Sequence, residues 1–142
     1  MHHVVVSIVS SIVYYYQAFQ YFAPAFMGVA EISSIPLALM DVFKMFPALR
    51  KHFPNTNEVS RNLFAASFLA CRGVYWPLTA YRFVESARAA MASGAPLGLP
   101  EPAMYVLLLC NVLMVGLQWY WSYLILKAIF QKLTGDERHK DA

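Results

Sequence analysis

Charge is what this chain has least of. Asp, Glu, Lys and Arg make up 13% of its 142 residues, about half the share found in soluble globular domains. Residues 1–30 carry no charge, and neither do residues 102–126. A water-soluble globule is excluded on that ground, and so is a disordered chain, which needs abundant charge and little apolar surface. The formal charge of +3 is too small and too scattered for binding nucleic acid through many phosphates. Cysteine is scarce as well. Cys71 and Cys110 both lie in apolar runs and read as packing residues, not as a disulfide framework. No Lys or Arg precedes the first apolar run, which opens Met1-His2-His3. It therefore lacks the basic start of a cleaved signal peptide, and Pro24 in the Ala23-Pro24-Ala25 stretch argues further for a retained helix.

Hydrophobic residues are present in excess, at 59% of the chain. They fall in long runs without period-two alternation, which predicts helices and not strands. A bilayer crossing needs about 20 apolar residues. The runs predict an all-α integral membrane protein, one domain of about four transmembrane helices near residues 3–23, 25–46, 60–86 and 103–132, with 134–142 as a polar tail. Pro24 separates the first two helices in a tight hairpin. Pro47, Pro54, Asn55 and Asn57 mark a loop over 47–60, and SGAPLGLPEP at 93–102 marks another. Pro36 and Pro77 predict kinks inside the second and third spans. Lys44, Arg50, Lys51, Arg61, Lys132, Arg138 and Lys140 fall on one side of this arrangement, against Arg82 and Arg88 on the other. The positive-inside bias then puts both termini in the cytosol.

Polar residues inside the spans are costly and carry most of the functional information. With about 1.5 Å of rise per residue, Gln17, Glu31, Arg72 and Asn111 fall in a band about two helical turns thick. Glu31 and Arg72 at similar depth would offset each other's burial by pairing. Glu31, Ser34 and Asp41 make one helical stripe, Asn111, Gln118 and Ser122 a second, and Arg72, Tyr75, Trp76 and Thr79 a third. These groups either hydrogen-bond between helices to hold the bundle or line a surface that meets a lipid headgroup or substrate. His2 and His3 read as a metal pair, a general base or two interfacial side chains. No acidic or Cys partner lies at metal spacing, so no metal site and no cofactor is expected. His52 and His139 fall in polar segments and read as solvated. Tyr14, Tyr15, Tyr16, Tyr21, Trp119, Tyr120 and Trp121 suit an aromatic belt.

His2-His3, then Glu31-Ile32-Ser33-Ser34, then Arg72 in an aromatic-rich helix, then Asn111 with Leu117-Gln118-Trp119-Tyr120-Trp121 occur in the order found in one family. The chain resembles the TLC (TRAM–LAG–CLN) domain, and specifically its C-terminal portion. The resemblance implies a larger helical barrel with further helices before the double histidine, residues 1–133 being a partial domain, and an endoplasmic reticulum location, with the plasma membrane second.

The family's ceramide synthases join an acyl group from acyl-CoA to a sphingoid-base amine. In their signature a His and two Asp follow the double histidine. Here Ala30 stands for that His, Glu31 for the first Asp and Ser34 for the second. The departures remove groups that would move a proton, and a hairpin at Pro24 would put His3 and Glu31 roughly 20 Å apart along the membrane normal. The pattern therefore sits closer to the non-synthase TLC proteins tied to membrane lipid homeostasis. That implies a protein, more naturally non-catalytic than an enzyme, that binds or senses membrane lipids. The alternatives are a ceramide-synthase-like N-acyltransferase, with His2, His3 and Glu31 as its catalytic candidates, and a trafficking or translocon accessory receptor that meets protein partners through loops or tail.

Overall fold

The structure, a computed structural model, describes residues 2–93 and 98–134, and in the first helix the side chains from Val4 onward. The polar tail expected at 134–142 lies, past Thr134, outside the described residues. Among the described residues every regular element is helical. Helix α1 is His2–Tyr16 and α2 runs Gln20–Met45. A short α3 is Pro47–His52. Helix α4 is continuous over residues 54–93, built as α-helix Pro54–Phe68, a π-helical stretch Leu69–Tyr75, and α-helix Trp76–Ser93. Helix α5 is Glu101–Thr134.

The first hairpin is not at Pro24. Its turn is at residues 17–19, where Gln17 (φ 54°) and Phe19 (φ 58°) take left-handed backbone, a conformation that costs a non-glycine residue about 1–2 kcal/mol. Two glutamines offset that cost. The Gln17 amide donates to the Tyr14 carbonyl at 2.7 Å, capping α1, and the Gln20 amide donates to Gln17 Oε1 at 2.6 Å. Pro24 is tolerated inside α2 because the Ala23 N–H already bonds to the Gln20 carbonyl, the acceptor that residue 24 would otherwise have to satisfy. A π-helical stretch, Pro24–Gly28, then continues the helix.

The 47–60 segment, expected as a loop, is mostly helical. Pro47 and Pro54 each open a helix, where a missing N–H costs nothing. Phe46 and Phe53 before them leave the helical region, at ψ 84° and 59°, as the clash with the following proline ring demands. Across the far end of this segment, Lys132 of α5 donates to Glu58 of α4 at 2.8 Å. That hydrogen bond, with the charge behind it, holds the Glu58 carboxyl below the usual carboxylate range.

Helix α4 is the hub. Its Pro54–Phe68 part lies against Ser34–Met45 of α2, its π-helical stretch against Val29–Ile32 and α5, and its last part against Pro24–Gly28 and α5. Helix α1 packs on α5. Met104, Leu107, Cys110, Met114, Gln118 and Ser122 form the buried stripe of α5, at steps of three and four residues. Its outer face is more apolar than its inner one: Leu109, Val112 and Leu113 are 60%, 65% and 56% exposed. A helix apolar all round, with amide and hydroxyl groups turned inward, suits lipid as its solvent. At 1.5 Å per residue α5 extends about 50 Å, more than the roughly 30 Å of a bilayer core. Helices α2 and α5 are each long and apolar enough to cross a membrane. The apolar part of α1, Val4–Tyr16, is shorter, and α4 carries Arg72 at its centre. The protein is an all-α integral membrane protein.

Gly73 sets how closely α4 approaches α5. A Cβ there would stand 3.1 Å from Ser122 Oγ, tighter than side-chain atoms normally pack. Gly73→Ala is expected to destabilise the bundle by about 1–3 kcal/mol, read as a shift in detergent-unfolding midpoint. Pairing it with Ser122→Gly should restore most of the loss, and failure of that rescue would rule out this contact as the cause.

Candidate functional site

Four helices line a partly open cavity of about 580 Å³, within the size range of sites that hold small molecules. Val5, Val6, Val9 and Val13 of α1 form one wall, and Leu107, Cys110 and Met114 of α5 another. An aromatic group supplies much of the rest. Phe83 of α4 meets Phe19 at 5.1 Å and Phe22 at 5.5 Å edge to face, while Phe26 lies 5.0 Å from Trp76. Beneath this lies the core of Ala30, Trp76, Ala80 and Met114.

Glu31, Arg72, Asn111, Gln20 and Ser10 are the polar side chains that reach this wall, with the Tyr14 ring among them. Arg72 is held by α2. Its Nε donates to Ser33 Oγ at 2.9 Å, and its Nη2 donates to the Ala30 carbonyl at 3.0 Å and Ser34 Oγ at 3.3 Å. Ser33 Oγ in turn donates to the Ala30 carbonyl at 2.8 Å. The Phe68 ring lies under the guanidinium, 5.4 Å away, a cation–π arrangement. The backbone prepares both sides of this contact. Helix α2 is interrupted at Ser33, one turn before Pro36, which cannot donate back to the Ile32 carbonyl. On α4 the Trp76 N–H bonds five residues back to Cys71, a widened register that ends where Pro77 cannot donate and that contains Arg72. Such π-helical insertions recur at functional sites.

Arg72 is thus held by Ser33, Ser34 and a carbonyl, not by Glu31. Among the described residues Glu31 makes no ion pair within 4.0 Å and acts on Arg72 only through space. Its exposed carboxylate is left on the cavity wall. Asp41, expected in the same stripe, pairs instead with Lys44 at 3.3 Å. Asn111 reaches the Ala80 carbonyl at 3.3 Å, tying α5 to α4. Gln118 is buried at 2% exposure but outside the cavity lining. Gln17 is not with the others: it is exposed in the first turn. His2 and His3 begin α1, and their side chains lie outside the described ones.

Moving the hairpin changes the register of α1. Ser10 Oγ meets Met27 Sδ at 4.0 Å. Counting outward from that antiparallel pair sets Val6 level with Glu31, and Val5 and Val6 pack on the core around Ala30. The roughly 20 Å separation implied by a hairpin at Pro24 therefore does not hold. Ser33 is the site residue that sequence reasoning missed as a participant. A serine pair two residues ahead of a mid-helix proline was the available signal.

Helices apolar on the outside, lining an apolar cavity with an anchored arginine and a carboxylate that has no ion pair among the described residues, define a polytopic membrane protein with a site between its helices. A family model for the TLC domain matches residues 1–127, and the chain belongs to that family. No curated protein and no solved structure matches it significantly.

Proposed function

We propose that this TLC-domain protein binds membrane lipid inside its helix bundle and influences membrane lipid composition, without catalysing a reaction of its own. The observation that carries this reading is the cavity of about 580 Å³ with Glu31 and Arg72 in an otherwise mainly apolar wall. Acyl chains suit the valine and phenylalanine lining, and a headgroup suits the polar edge. Family membership supports an endoplasmic reticulum location, and the positive-inside bias supports cytosolic termini. Filling the cavity tests the reading. Val9→Trp adds bulk at a half-buried lining position and is expected to abolish the lipid retained by purified protein in native mass spectrometry, with helicity unchanged. Retention equal to that of the unaltered protein would sink the reading.

One observation favours the acyltransferase alternative: the register of α1 places its first turns beside Ala30 and Glu31, removing the geometric objection to His2 and His3 working near Glu31. The same preparation, supplied with acyl-CoA and a sphingoid base, separates the two readings. N-acyl product that disappears in the His2→Ala, His3→Ala double variant would establish the enzyme.

A further inference from the structure

At the other end of α2 a second, smaller pocket of about 190 Å³ is lined by Met40, Phe43, Lys44, Arg50, Asn57 and Arg61. It draws on α2, α3 and α4, three elements brought together by the two proline-initiated helix starts. Three cations and an amide line it, and among the described residues no carboxylate does. Among the described residues the nearby acids are committed: Asp41 pairs with Lys44 at 3.3 Å, and Glu58 pairs with Lys132 of α5 at 2.8 Å. Arg61 acts on Glu58 only through space. Among the described residues neither the Arg50 nor the Arg61 side chain has a hydrogen bond or ion pair. Two guanidinium groups facing one small pocket repel each other unless an anion lies between them, and their planar forks match phosphate oxygens.

The surroundings indicate where that anion comes from. Phe46, Leu49 and Phe53, in and beside α3, are 53%, 41% and 55% exposed. A short helix with exposed apolar side chains next to Arg50, Lys51 and His52 has the composition of a segment lying in the headgroup region of a bilayer. Met40 and Phe43 continue the pocket lining toward the apolar run of α2.

We propose that this pocket binds the phosphate of an anionic phospholipid headgroup, at a site separate from the internal cavity. Arg50 and Arg61 grip the phosphate oxygens, Asn57 donates a neutral hydrogen bond, and Phe46, Leu49 and Phe53 sit among the neighbouring acyl chains.

Native mass spectrometry of the full chain in detergent tests this, with phosphatidic acid and phosphatidylcholine of identical acyl chains as competing probes. Identical chains leave the headgroup as the difference between the probes, and Val9→Trp, which fills the internal cavity, should leave the preference at this pocket unchanged. The unaltered protein should prefer phosphatidic acid. Arg50→Gln should weaken that preference about five-fold, and Arg50→Gln with Arg61→Gln about 25-fold. Lys51→Gln removes the same charge from the same short helix but not from the pocket, and should change little. An equal loss with Lys51→Gln would mean a diffuse surface field and overturn the proposal. So would displacement of the lipid by glycerol 3-phosphate at matched concentration, which would mark a site for soluble phosphate. Should the glutamine variants lose helicity, Arg50→Lys with Arg61→Lys keeps the charge without the fork. That variant must then retain part of the preference, and a complete loss in folded protein would equally overturn the site.

Discussion

Replacing Arg72 with methionine is expected to destabilise the bundle by about 2–4 kcal/mol. Interhelical hydrogen bonds in membrane proteins average about 0.6 and reach about 1.7 kcal/mol each, and Arg72 makes three to α2. Methionine keeps most of the apolar stem that lies against Phe68 while removing every donor. The more discriminating result is the coupling. In a double-mutant cycle read by detergent unfolding, Arg72→Met with Ser33→Ala should show an interaction of about 1 kcal/mol or more, the level expected of residues sharing one hydrogen-bond network. Arg72→Met with Glu31→Gln should show a clearly smaller coupling, because the two side chains attract only through space, with no hydrogen bond or ion pair between them. A cycle with the opposite outcome would mean that an ion pair to Glu31 anchors the arginine. Arg72→Lys should behave more like the methionine variant than like the parent, since one ammonium cannot serve acceptors arranged for a planar fork.

Trp76→Ala is expected to cost more, about 3–5 kcal/mol, the range for emptying a buried tryptophan site. Trp76 is 7% exposed and sits where the core of Ala30, Ala80 and Met114 meets the Phe26 ring. Its removal would also enlarge the cavity and relax selection among bound lipids. Trp76→Phe should cost far less. The indole Nε1 is buried without a hydrogen-bond partner among the described residues, so losing it sacrifices no bond and removes a desolvated donor. If Trp76→Phe proves as damaging as Trp76→Ala, the indole nitrogen has a role that packing does not explain.

Much of the candidate site was legible in residue type alone. A glutamate and an arginine inside apolar runs mark themselves, and Glu31, Arg72 and Asn111 do line one cavity. Gln17 had the same signature and a different fate. Its depth depended on where the first hairpin turned, and the turn moved from Pro24 to residues 17–19. Proline breaks a helix through its missing N–H and its ring, and at Pro24 the first of these costs is removed because the Ala23 N–H takes the Gln20 carbonyl.

Composition and hydropathy by themselves determined that this is an all-helical membrane protein, because burying apolar runs of this length in lipid requires every backbone group to be satisfied within its own segment. Order and spacing of a few polar residues sufficed for the family. The tertiary structure alone decided the partners. Whether Arg72 meets Glu31 or Ser33 depends on differences of an ångström or two in helix register, which the break at Ser33 and the π-helical stretch Leu69–Tyr75 shift in ways no periodicity encodes. The same holds for Arg50 and Arg61. They lie eleven positions apart in a segment that reads as a loop, and they share a pocket only because two prolines start helices there and fold α3 between α2 and α4.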